Sequence, residues 1–166
     1  MNSLLAIFAC LGFVLSLAVH IAALFGIDIS TQIPYLWPLH LGIFVVFIPM
    51  VLSSQKRLGS KVTFAGLRAV FPGWVVTFGL VLAVYVALNF LFFMISMREG
   101  GPGIQHGKFV LQSHGRFIRE LTSTEYTALK ANEVRGFSGH WLIFYYIPFV
   151  YFLFAKKSNP AVEQTA

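Results

Sequence analysis

Apolar positions in this chain do not alternate with polar ones; they form long runs. No charged side chain precedes Asp28, and residues 4–25 are apolar except for Ser16 and His20. At 1.5 Å per residue that run makes a helix about 33 Å long, enough for a hydrocarbon core of about 30 Å. It is longer than the apolar part of a signal peptide. No Lys or Arg precedes it and no small-x-small cleavage site follows, so it reads as a retained first span. A second span is expected over 33–52, from IPYLWPLH to FIPMVL, with Tyr35 and Trp37 suited to an interfacial aromatic belt. Pro34 falls in its first turn, where a proline is harmless, whereas Pro38 and Pro49 lie inside and should bend its ends. The third span covers 71–97. The fourth, 137–155, is rich in Phe and Tyr, stops at Lys156-Lys157, and should kink at Pro148.

Only residues 98–136 have the pattern of a segment that folds in water. REGGPG reads as a flexible exit from the third span. KFVLQ and FIREL, separated by SHGR, read as a β-hairpin turning at His114-Gly115, because Gly tolerates positive φ and His does so better than most residues. Thr122 with Glu125 three positions later is a capping box, predicting a helix from about Ser123 to Arg135 that ends near Gly136. A lone hairpin of this size is marginal in water, so it must rest on the helix, the membrane surface or a partner. The tail 158–166 is short, polar and expected to fray.

The fold class expected is therefore an all-α membrane protein. One integral domain, residues 1–166, holds four transmembrane helices in a bundle, with a small extracytoplasmic hairpin-and-helix cap at 98–136. Composition agrees: 57% of the residues are hydrophobic, 11% are charged and 18 are Phe. A soluble domain carries about 25% charge, so the chain cannot clothe a water-exposed surface of its own, and one cysteine, Cys10, excludes a disulfide scaffold. Charge placement sets the orientation. The connection after the second span carries Lys56, Arg57, Lys61 and Arg68 with no acid, and Lys156 and Lys157 follow the fourth. In 98–136 the basic residues are diluted by Glu99, Glu120, Glu125 and Glu133. Both termini are thus expected in the cytoplasm of a plasma membrane of the bacterial inner-membrane type. The net charge of +6 is a topology signal; no basic face of a nucleic-acid-binding protein is visible.

The residues that could carry chemistry are few. His20, His40 and His140 lie about 8, 4 and 9 Å beyond the middle of their spans, and Asn89 about 8 Å, all towards the cap. Polar groups at such depth are costly unless satisfied, which makes these four candidate cofactor-binding residues. Imidazole suits haem iron and transition metals, so haem b or a metal ion is the cofactor to test. His20 and His40 are the best ligand pair, and His106 and His114 in the cap are further candidates. The alternative, preferred here, is that each His bonds a backbone carbonyl or Asn89 and fixes helix packing. Cys10 reads as a packing residue, and the aromatic fourth span as packed or lipid-facing rather than lining a quinone or haem. Ser113-His114 and Ser138-Gly139-His140 lack the orienting group and oxyanion hole of a nucleophilic site. No Walker loop, dinucleotide fingerprint, CxxC or HExxH motif occurs. The stretches HGKFVLQSHGRFIRELTSTEY and RGFSGHW look like motifs, yet no activity attaches to them.

Two functional classes follow. The first is a non-catalytic small subunit or scaffold of a membrane assembly, with the lipid bilayer, a membrane-protein partner or further copies of itself as its contacts. The second is a haem- or metal-binding protein serving electron transfer or metal handling. A transporter is a distant third, since no acidic residue lies in any span to couple an ion gradient.

Overall fold

The computed structural model describes residues 2–33, 35–58 and 63–154. The expected roles of Pro34, Lys61, Lys156 and Lys157, the side chains of Lys56 and Arg57, and the tail 158–166 lie outside what is described. The molecule is mostly helical, 75%, and four of its helices are long and apolar enough to cross a membrane. In chain order the elements are α1 (Asn2–Leu24), α2 (Ile29–Gln32), α3 (Trp37–Leu58), α4 (Phe64–Val70), α5 (Gly73–Ser96), β1 (Gly101–Gln105), β2 (Lys108–Ser113), β3 (Arg116–Glu120) and α6 (Ser123–Phe154).

Helix α6 organises the bundle. It touches α1, α3 and α5, and 50% of its apolar window is buried inside the protein against 17% for α5. One side of α6 packs Tyr145 and Trp141 with Ala9, Val19 and Ala23 of α1 and Ile43 and Val46 of α3. Another packs Leu142, Tyr146 and Val150 with Val75, Val76, Leu82 and Val86 of α5. Glycines on the neighbouring helices receive its aromatic rings. A Cβ on Gly12 or Gly42 would collide with Tyr145, and one on Gly79 would lie 3.1 Å from the Tyr146 ring. The bare surface beside Gly42 and Gly79 also opens helix carbonyls to side chains. The Tyr145 hydroxyl donates to the Leu39 carbonyl at 2.5 Å and that of Tyr146 to the Val75 carbonyl at 2.8 Å. Small residues thus serve close approach, as in membrane-helix interfaces generally.

Three details of the expected fold are corrected. First, the cap helix and fourth span are one continuous helix, 32 residues and about 48 Å long. Gly136 does not end it; a Cβ there would meet the Phe93 ring of α5 at 2.5 Å, so the glycine admits a neighbour. The Thr122–Glu125 capping box is present: the Glu125 N–H donates to Thr122 Oγ1 at 3.2 Å, and the Thr122 N–H to the Glu125 carboxylate at 2.8 Å.

Second, the cap is a three-stranded antiparallel meander, β1-β2-β3, not a two-stranded hairpin. The glycine-rich GPGIQ pairs with β2 from Gly101↔Gln112 to Gln105↔Lys108, and Pro102 is tolerated because β1 is an edge. Both turns are two-residue His-Gly loops with positive φ throughout: 50° and 78° at His106-Gly107, 51° and 79° at His114-Gly115. That geometry matches the right-handed strand twist. Leu111 and Leu121 pack on Tyr126, and Phe109 stacks on the same ring at 4.3 Å, so the sheet rides on the first turns of α6.

Third, the connections contain the short helices α2 and α4, capped by Asp28 and Thr63. Pro38 is the second residue of α3, where its missing N–H costs nothing, so of the two internal prolines expected only Pro49 lies inside that helix.

Candidate functional site

Three of the four polar residues singled out in the apolar runs, His20, His40 and Asn89, meet one stretch of α6, residues 135–141, in two separate groups, and the fourth, His140, lies on that stretch itself. The first is centred on His20, which is 2% exposed. Its Nδ1 lies 2.8 Å from Ser138 Oγ and its Nε2 lies 2.5 Å from the Tyr85 hydroxyl, so one imidazole ties α1 to both α6 and α5. Ser138 Oγ donates to the Arg135 carbonyl at 3.3 Å, and Asn89 Nδ2 donates to that same carbonyl at 3.1 Å.

A neutral imidazole protonated on Nδ1 satisfies all of these bonds together: it donates to Ser138 Oγ and accepts from Tyr85, and the Ser138 hydroxyl proton is left for the Arg135 carbonyl. Tyr85, His20, Ser138 and the α6 backbone thus form one hydrogen-bonded chain. Gly139 is what lets it close. A Cβ at that position would collide with the Asn89 amide and sit 3.6 Å from His20 Cε1. Ser16, one turn before His20 on α1, is also fully buried, and its hydroxyl has no partner among the described residues.

The second group holds α3. Trp141 Nε1 donates to His40 Nδ1 at 3.1 Å, and the His40 ring is edge-on to Trp37, Phe44 and Trp141 with centroids 5.8, 6.1 and 6.5 Å away. His140 takes neither side: its Nδ1 is 2.9 Å from the Gly136 carbonyl of its own helix, and its ring lies 4.8 Å from that of Phe90. His20 and Asn89 therefore both lie against Gly139, whereas the hydrogen-bond partners of His20 and His40 have no residue in common.

The cap histidines stand at opposite ends of β2, whose six residues separate them by about 20 Å, so they do not form one site. Among the described residues no three of His, Cys, Asp and Glu gather closely enough to hold a metal ion. Ligation of a metal by His20 would require one ring nitrogen to abandon Ser138 or Tyr85. Sequence reasoning missed Tyr85 and Trp141. The available signal for Tyr85 was its place four residues before Asn89, on one helix face.

Between α2, α3 and α6 lies a cavity of about 180 Å³, bounded by Ser30, Trp37, Trp141 and the Lys130–Glu133 ion pair. Nearby, Asp28 caps α2 and is 5% exposed. Burial pushes its carboxyl up, but bonds from Ser30 and Thr31 outweigh this and hold it below the usual carboxylate range. The other ion pairs, Arg98–Glu99, Lys108–Glu120 and Arg119–Glu125, lie on the solvated face of the cap, where such pairs are worth little. Comparison of the chain with protein-family models, curated proteins and solved structures finds no match, so its function has to be argued from this chemistry.

Proposed function

We propose that the protein is a non-catalytic small subunit or scaffold of a membrane assembly. In this reading α1, α3, α5 and α6 cross a plasma membrane of the bacterial inner-membrane type, both termini are cytoplasmic and the sheet stands on the outer side. One observation carries the proposal. The buried polar groups of His20, Asn89 and Ser138 are spent on one another's helices, on the Tyr85 hydroxyl and on the α6 backbone, which holds α1 and α5 to α6. A further exposed feature suits a contact surface: all five residues of β3 are exposed, Phe117 and Ile118 at 55% and 45%. As an edge strand, β3 also leaves one row of backbone groups open for pairing, and α6 carries that edge rigidly.

The test is photo-crosslinking in native membranes, with a photoreactive residue at Phe117 and a control at the apolar, exposed Leu91. The proposal expects one reproducible protein adduct from position 117 and only lipid from position 91. The same outcome at both positions would remove the scaffold reading.

A further inference from the structure

At the end of the bundle away from the sheet, α3, α4, α5 and α6 leave a furrow of about 400 Å³. Its walls include Met50, Leu67, Ile147 and Val150, and its floor is left open by Gly79 and Ala83, one turn apart on α5, which supply almost no side chain. Ser54, Tyr146 and Tyr151 bring hydroxyls to the lining, and those of Ser54 and Tyr146 are bound to the Val51 and Val75 carbonyls. The rest of the lining is apolar.

Helix α4 contributes Leu67 to the wall, and the next residue in sequence, Arg68, is exposed, with its guanidinium 4.9 Å from the centre of the Phe64 ring. None of the ion pairs found among the described residues includes Arg68. The connection that carries α4 has four basic residues between positions 53 and 68 and no acid.

We propose that this furrow binds an anionic phospholipid, with one acyl chain laid along Gly79 and Ala83 and the phosphate at Arg68. An arginine next in sequence to the wall of an apolar slot between helices is the chemistry that selects acidic headgroups. A second copy of the chain fits worse, because it would bring the same basic connection against itself. The site rests on the membrane placement above and not on the existence of a protein partner.

Native mass spectrometry of the full chain tests it, with dioleoyl phosphatidylglycerol or dioleoyl phosphatidylcholine added at equal concentration. The expected result is about fivefold stronger retention of phosphatidylglycerol, the factor that one basic side chain at an anionic surface supplies. Arg68→Gln, an exposed change that leaves the core intact, abolishes the preference and keeps retention at the phosphatidylcholine level. Ala83→Phe fills the furrow and lowers retention of both lipids severalfold. Equal retention by the unaltered chain, a preference that survives both substitutions, or a chain dimer that excludes lipid would each overturn the site. A missing adduct at Phe117 would leave these ratios unchanged, so the two proposals fail separately.

Discussion

His20 shows how much a single residue does in an apolar bundle: two ring nitrogens bind two different helices. Ser138→Ala leaves its Nδ1 buried without a partner, which costs about 1–3 kcal/mol. Tyr85→Phe keeps the ring and removes one interhelical bond, a loss of about 0.6–1.7 kcal/mol. Reversible unfolding in detergent micelles measures both. Because the residues form one chain, the double variant should cost less than the sum, and simple additivity would mean the chain is not coupled. The depth of His20 was legible from its place in an apolar run. Its partners were not, since helix rotation is invisible without the neighbouring helices.

Asp28 yields a prediction with a definite sign. Its folded carboxyl ionises below the usual value, so the unfolded chain binds the proton more readily, and the stabilisation is present at neutral pH and lost as pH falls through the folded value. Any stability advantage of the unaltered chain over Asp28→Asn at neutral pH should narrow as pH drops below about 4. Thermal unfolding scanned against pH reads this directly. A gap that persists in acid would remove Asp28 as the titrating cap.

At the scale of elements, the central fact is that glycines accept rings. Gly12→Ala places a methyl group inside the Tyr145 ring, whereas Gly73→Ala meets nothing within 4 Å. The first should destabilise by about 1–3 kcal/mol as α1 is pushed off α6, and the second should be close to neutral. Equal effects in a stability assay would show that the notch carries no packing energy. The four long helices were legible because length and apolarity suffice to define them. Glycine misled twice, in opposite directions. At Gly136 it was read as a stop, although a packed neighbour supplies its reason. In REGGPG it suggests a flexible exit, although edge pairing with β2 orders its last three residues, Gly101, Pro102 and Gly103. Both errors share one cause: glycine records that something comes close and does not say what. The capping box and the His114-Gly115 turn were legible because their chemistry is local.

For the whole molecule, α6 is the element that joins the apolar bundle to the cap. Its 32 residues exceed a hydrocarbon core of about 30 Å by roughly a dozen, and the sheet rests on that excess. The proposed orientation puts His114, at an exposed turn tip, outside the cell. With Cys10 replaced by Ala, His114→Cys should be labelled by a membrane-impermeant maleimide in intact cells. Labelling only after lysis would invert the topology and place the furrow at Arg68 in the outer leaflet.

Whether His20 and His40 hold helices together or hold a cofactor decides between the scaffold and the haem or metal reading. The absorption spectrum of the protein purified from haem-replete cells tests it most directly. Histidines used for packing predict only the ultraviolet bands of the aromatic side chains, unchanged in shape by His20→Ala and His40→Ala. A Soret band that disappears in either variant would contradict the account.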